Sequence, residues 1–449
     1  MTKLFVKDKH FYKMALVLAL PIVLQNMITI GVNIMDTVML GSYGEIQLSG
    51  SSLANEYINI FHILCMGMGS GASVLTAQFF GRGDTKSIKH TVTIMMRLSL
   101  TVAAIFTLAS VIAPSFIMGI FTEDAAVIEK GREYFLWSAP SYLLMGISLT
   151  LTLILRSVRQ VMLPLVTSII CFFVNIFFNW VFIFGNLGAP EMQIAGAALG
   201  TVIARAVETL IIAVYVFKVD KKIGMRIKDL FGTCGGLLRT YIKYSIPVFI
   251  SDAMLALGNS TTSVIIGHIS TEYVAANAIV ATVLRLSTVF TQGLGQASGI
   301  MTGNSLGRGE KDTAYREGVT FVTLSAVIGV LAGAIILGLC PFIIGLYNIE
   351  DTTRDIAFQL MYSVAIMVIF QSMQSVLTKG VLRGGGDTKF LMFADVAFLW
   401  LASVPLGAVC GLWLGLSPFI VTTALKIDWA IKTFICLYRL KTKKWIKIV

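Results

Sequence analysis

Long uninterrupted apolar stretches alternate along this chain with short clusters of glycine, charged and turn-forming residues. Twelve such stretches, rich in Leu, Ile, Val and Phe, cover approximately residues 14–36, 51–79, 91–118, 134–155, 161–184, 195–217, 245–266, 275–306, 317–345, 357–381, 388–412 and 416–437. A helix needs about 20 mostly apolar residues to cross the hydrocarbon of a bilayer, so each stretch predicts one span. A β-barrel would show alternating segments of about ten residues, and a continuous apolar run satisfies its backbone in lipid only as a helix. The expected fold class is therefore an all-α integral membrane protein with twelve transmembrane helices. The basic-then-apolar start up to Leu20 has the outline of a secretory leader, but no small-residue cleavage pattern follows and the run continues past Pro21. It predicts a retained first span.

Composition agrees: of 449 residues, 56% are hydrophobic and 13% charged, against about 25% charged in soluble domains. Lys and Arg number 35 and Asp and Glu 24, a net charge of +11. With the N-terminus placed inside, the inner segments and their helix ends hold 29 of the 35 basic residues; the outer loops hold Lys130, Arg132 and Arg354, and Arg205, Arg285 and Lys426 fall within spans. By the positive-inside rule both termini are cytoplasmic, in the inner or plasma membrane of the cell. The basic excess then reflects topology and contact with anionic membrane lipid, and no nucleic-acid partner is expected. The six cysteines are dispersed without a C-x-x-C pattern, and five lie in apolar runs; they read as small buried hydrophobes, with no disulfide framework and no zinc site.

The chain is internally duplicated. Pro21 and Pro247 lie 226 positions apart, as do Gly41 and Gly267, and Gly81-Arg82-Gly83 and Gly307-Arg308-Gly309; Leu155-Arg156 recurs as Leu382-Arg383 at a distance of 227. Six spans separate equivalent points. An even number keeps both halves in one orientation, so the repeat is parallel, with two six-helix lobes related by a pseudo-two-fold axis along the membrane normal, an arrangement found in alternating-access transporters. The expected organisation is an N lobe over 1–217, a basic cytoplasmic connection over 218–243 and a C lobe over 244–449. Duplication also suits a channel or a membrane enzyme. However, the sequence has no P-loop for a nucleotide motor, no H-E-x-x-H and no Ser/His/Asp spacing for an enzyme.

Polar residues inside the spans carry the candidate chemistry. Asp36 closes the first span, fifteen positions after Pro21, which is expected to bend that helix. A carboxylate at membrane depth must bind a cation, find donors or take up a proton. Two readings stand for it: a coupling-ion site, or a helix-end acid already in the outer interface. Asn175 and Asn179 are four apart and share one face of the fifth span, suited either to one site or to interhelical hydrogen bonds. Thr201 follows Gly196-Ala197-Ala198-Leu199-Gly200, whose small side chains permit close helix approach. Carboxylate, amide, hydroxyl and backbone carbonyl are the hard oxygen ligands a sodium-like ion prefers. Arg205 and Glu208, three apart, are expected to pair on their own helix. The second half holds Asp252, Arg285, Asp395, Lys426 and Asp428, and opposite charges in near-equal number predict buried pairing, Asp252 with Arg285 or Asp395 with Lys426, because unpaired charges there are expensive.

Taken in order, these motifs resemble the multidrug and toxic compound extrusion (MATE) family of the flippase-like exporter superfamily. The likeness spans essentially the whole chain. It includes Pro21, Asp36-Thr37-Val38-Met39-Leu40-Gly41, Gln78-Phe79-Phe80-Gly81-Arg82-Gly83, Asn175-x-x-x-Asn179 leading to Gly188-Ala189-Pro190, Gly196 to Thr201, and Leu382-Arg383-Gly384-Gly385-Gly386-Asp387-Thr388. The resemblance implies a monomeric antiporter, without a cofactor, that exchanges H⁺ or Na⁺ for small organic, often cationic, compounds. Carried over by motif, Asp36 is the coupling carboxylate, Asn175, Asn179 and Thr201 its neighbours, the Ala197 carbonyl a ligand and Pro21 the helix bend. Some relatives carry acids where this chain has Leu255 and at a position near Ser372, which argues against a C-lobe coupling site of that kind; some also carry an acid where Asn179 stands, which leaves one fewer titratable group in the N lobe. A flippase for a lipid-linked precursor on the same fold is the alternative, an intramembrane enzyme a more distant one.

Overall fold

The structure, a computed structural model, describes residues 5–345, 347 and 349–448. Among them, eleven helices are long and apolar enough to cross a membrane. They are α1 (Lys9–Gly41), α2 (Glu45–Arg82), α3 (Thr85–Ile112), α4 (Pro140–Ser157), α5 (Met162–Phe184), α6 (Gln193–Val219), α7 (Leu238–Ile269), α8 (Thr271–Gly307), α9 (Lys311–Gly345), α10 (Asp351–Gly384) and α11 (Thr388–Trp413). The last predicted run, 416–437, is two helices, α12 (Pro418–Leu425) and α13 (Ile427–Lys441). They meet at Lys426, whose backbone leaves the helical region and whose ammonium sits 4.7 Å from the centre of the Trp429 ring. Proline sets two other boundaries: the run 91–118 is divided before Pro114 and α4 starts at Pro140, each proline in a first turn where its missing N–H costs nothing.

The chain divides into two compact units. The N unit comprises Leu24–Thr76 and Gly83–Ser245, the C unit Met1–Val23, Ala77–Arg82 and Ile246–Val449. The N unit is cored by Leu40, Ala54, Met118, Phe135, Ile183, Ile194 and Ala197, with the rings of Tyr57, Phe61, Phe106 and Tyr142 packed alongside in tilted and edge-to-face pairs. Its basic segment contains a short turn of helix, Ile227–Phe231. This is fixed to α3 by Arg97, which donates to the carbonyls of Leu230 (2.9 Å) and Gly232 (2.7 Å), and by Lys89, 3.1 Å from Asp229. The Asp229 carboxyl lies below its ordinary value because the Arg226 backbone N–H and the Lys89 ammonium favour its charged form. The C unit packs Ile266, Tyr273, Ile279, Ile336, Leu360 and Val364 in its centre.

Duplication at the sequence level reappears as duplicated contacts. Inside the C unit, a Cβ placed on Gly81 would stand 2.1 Å from the Asn304 carbonyl oxygen, and one on Gly307 would stand 2.0 Å from that of Gln78. Gln78 and Asn304 are themselves 226 apart. Residue i therefore meets the equivalent of j while j meets the equivalent of i, the signature of a two-fold relation. The turn after α4 recurs after α10 in the same way. Gln160 N–H donates to Leu155 (2.8 Å) and Asp387 N–H to Leu382 (3.1 Å). The residues just before them, Arg159 (φ 62°) and Gly386 (φ 83°), are both left-handed. Gln160 then donates to Asp220 at 2.7 Å, and Asp387 is gripped by Lys447, again 227 positions on at both ends.

Candidate coupling site

Three helices of the N unit bring the predicted polar residues together. Asp36 lies near the end of α1, Asn175 and Asn179 lie one turn apart on α5, and Thr201 lies on α6. What lets α6 come so close to α5 is glycine: a Cβ on Gly196 would stand 2.5 Å from the Phe182 carbonyl, and one on Gly200 would stand 2.1 Å from the Asn179 Oδ1. The short approach sets a continuous polar chain. Asn179 Nδ2 donates to Asp36 Oδ1 at 2.6 Å and to Asn175 Oδ1 at 3.3 Å, and Asn175 Nδ2 donates to Thr201 Oγ1 at 3.4 Å.

Both asparagines are buried and Asp36 is half-buried. Asn179 Oδ1 is buried without a hydrogen-bond partner. An acceptor left that way is expensive in apolar surroundings, and a proton donor or a small hard cation would satisfy it. Tyr134 borders the site, with its hydroxyl directed at Asn55 Oδ1 (3.4 Å) and at Thr201. One turn beyond Thr201, Arg205 is bound by Glu208 at 2.7 Å, the expected pair on one helix, and its charge also reaches Asp36. Ala197 packs in the apolar core one turn before Thr201, within α6. Pro21 is buried inside α1, which runs as one helix from Lys9 to Gly41. Among the described residues no group of three or more His, Cys, Asp or Glu is placed to hold a metal ion, so the site has one carboxylate supported by amides and hydroxyls.

Gly200→Ala should damage this site without touching a ligand. The new methyl would occupy the place of the Asn179 amide oxygen, forcing that side chain off Asp36 or α6 away from α5. Overpacking of this kind costs about 1–3 kcal/mol. The expected outcome is a lowered Tm, measured on purified protein beside wild type; an unchanged Tm would show that the approach of α6 to Asn179 tolerates the methyl.

Of the second-half charges Asp395 is buried and Asp252 partly buried, and both acids are paired with other partners than those expected. Asp252 is bound by Arg383 at 3.3 Å, and Asp395 by Lys432 at 3.4 Å. Arg285 is exposed, and Lys426 is turned onto Trp429 at the α12–α13 break. Sequence reasoning counted Lys432 and Arg383 with the cytoplasmic helix ends. The spacing Asp428-x-x-x-Lys432 and the recurrence of Arg156 as Arg383 were the available signals.

A duplicated set of membrane-spanning helices with a carboxylate held by an amide in one half is the construction of a secondary transporter. The MatE family model matches the chain twice, over residues 21–181 and 247–409. The chain belongs to that family. Among similar proteins are the probable multidrug resistance proteins NorM of Bradyrhizobium diazoefficiens and Listeria innocua. The first is 26% identical over 89% of this chain and 88% of the relative. The second is 25% identical over 92% of each. Solved structures share the fold. A multidrug resistance MATE transporter of the MOP superfamily in its outward-facing conformation superposes with a TM-score of 0.87 at 16% identity, covering 98% of this chain and 99% of that one. A mutant of the Vibrio cholerae MATE transporter VcmN gives 0.88 at 15% identity, covering 99% and 100%.

Proposed function

We propose that this chain is a cation-coupled antiporter of the plasma membrane that exports small organic, cationic compounds by alternating access, with H⁺ or Na⁺ as the coupling ion bound at Asp36. The single observation that carries the reading is the chain Asp36–Asn179–Asn175–Thr201, a carboxylate on a spanning helix held by an amide whose own oxygen lacks a donor. Family membership and the names of the NorM relatives support the drug-export part. The excess of Lys and Arg in alternate loops supports cytoplasmic termini. The protein works as a monomer surrounded by lipid, with no cofactor.

In this mechanism an ion enters from outside, loads Asp36 and neutralises it, and the lobes then reorient. Ion binding drives the cycle only because the two states bind it unequally. A membrane potential supplies about 2.3 kcal/mol per charge per 100 mV, so one coupling cation sustains roughly a fifty-fold gradient of a neutral compound from that term alone. A flippase for a lipid-linked precursor would need a cationic patch for its diphosphate, for which the arginines within the predicted spans are Arg205 and Arg285; Arg205 is bound by Glu208, which weakens that reading. Uptake of a cationic dye into inside-out vesicles, under separately imposed pH and sodium gradients, tests the proposal. Transport should follow one of the two gradients, and indifference to both would refute ion coupling.

A further inference from the structure

The duplication extends into the polar interior of each half. Ser168 and Asp395, Thr201 and Asp428, and Arg205 and Lys432 are each 227 positions apart. In the N half Gln25 donates to Ser168 at 3.0 Å and accepts from Arg156. In the C half those two duties pass to neighbouring residues of α7: Ser251 donates to Asp395 at 2.6 Å, and Asp252 accepts from Arg383, the counterpart of Arg156. The bond from Asn175 to Thr201 between α5 and α6 has its counterpart in Ser403, on α11, which donates to Asp428 on α13 at 2.8 Å. These two donors are 228 apart rather than 227. A π-helical turn at Leu399–Ser403 lies between Asp395 and that bond and accommodates the extra residue.

Substitutions at these positions change the chemistry of the second copy. Where the N half has the Thr201 hydroxyl and Arg205, the C half has the Asp428 carboxylate and Lys432. The Lys432 ammonium lies 2.9 Å from Asp428 Oδ2 and 3.4 Å from Asp395 Oδ1, and all three side chains are at most 3% exposed. Each carboxylate also receives a serine hydroxyl, from Ser403 and Ser251 respectively. The three side chains form a buried, hydrogen-bonded Asp–Lys–Asp triad whose cation is covalently attached to the chain.

We propose that Lys432 is a built-in counter-cation that permanently neutralises the C half's acidic cluster, which stands at the positions equivalent to Ser168, Thr201 and Arg205 of the N half, so that transported ions are exchanged at Asp36 alone, one per cycle. This deepens the antiporter reading and rests on it. A lysine fixed on its own helix cannot be released to either side of the membrane, so the second carboxylate cluster locks the C half instead of powering it. Removing the ammonium should turn the cluster into a site for small cations.

Chemical rescue of the full-length purified protein tests this. Lys432→Ala should unfold at a lower Tm than wild type, and ethylammonium or Na⁺ should raise that Tm in a concentration-dependent way while propanol does not. The wild-type Tm should not respond to ethylammonium over the same range. A Lys432→Ala protein as stable as wild type, or one insensitive to both cations, overturns the proposal. The neutral variant Asp395→Asn/Asp428→Asn/Lys432→Met is the second measurement, since it leaves no charge to strand. It should keep ion-driven efflux in vesicles, with the reversal potential of one cation per cycle seen in wild type. Loss of coupled efflux in the folded triple variant, or a wild-type reversal potential requiring two cations, would instead assign the triad to the transport cycle. Asp36→Asn run in the same vesicles separates the two ideas: ion-driven efflux surviving in that variant refutes the antiporter reading, whatever the lysine variants do.

Discussion

Asp36→Asn is expected to reduce ion-driven efflux to the level of passive leak while the protein still folds. Asparagine keeps the shape of the side chain and an oxygen that can accept the Asn179 amide now 2.6 Å from Asp36 Oδ1. What it loses is the charge that a proton or small cation would neutralise. A charge-assisted hydrogen bond is worth only about 1 kcal/mol more than a neutral one, so the Tm should move little. The effect on transport is of another order. Swinging a two-state protein from 1:99 to 99:1 takes about 5.5 kcal/mol of differential binding, and a site that no longer binds the ion supplies none of it. The loss in flux should therefore be about a hundred-fold. Dye efflux at a fixed imposed gradient, with Tm recorded on the same preparation, checks both halves of the expectation. Normal flux would remove Asp36 from the coupling step.

Substitution at the duplicated glycines should have the largest effect on stability. Gly81→Ala and Gly307→Ala each place a methyl carbon within about 2 Å of a helical carbonyl oxygen, that of Asn304 and of Gln78 respectively. Neither oxygen belongs to a flexible side chain, so relief requires the backbones of α2 and α8 to part. Each variant should lose about 3 kcal/mol or more, with a clear drop in Tm and in yield of folded protein. Because the two contacts are related by the internal duplication, the two losses should be similar. Gly119→Ala is the control: nothing lies within 4 Å of a Cβ there, and the helix Pro114–Phe121 gains a better helix former by up to about 1 kcal/mol. A stable Gly307→Ala protein would mean that the close crossing of α2 and α8 is not formed.

The sequence by itself determined the membrane-spanning helices and their duplication, whereas the grouping of Asp36 with Asn175, Asn179 and Thr201 was implied only by the resemblance to the MATE family. Apolar runs longer than a bilayer is thick admit only helices, and repeated glycines and prolines at one offset are visible without coordinates. The i, i+4 asparagines likewise declare a shared face before their partners are known. Arg205 with Glu208 was legible for the same reason, since partners on one helix need no tertiary information. Tertiary structure alone decided the second-half partners. Asp252 sits on α7 and Arg383 on α10, Asp395 on α11 and Lys432 on α13, and a choice among several buried charges on different helices depends on how those helices rotate and pack. The same holds for the break at Lys426, which hydropathy reads as one run because a single lysine scarcely interrupts it. The orphaned Asn179 oxygen was also beyond the sequence, because a missing donor is a property of everything surrounding an atom in space.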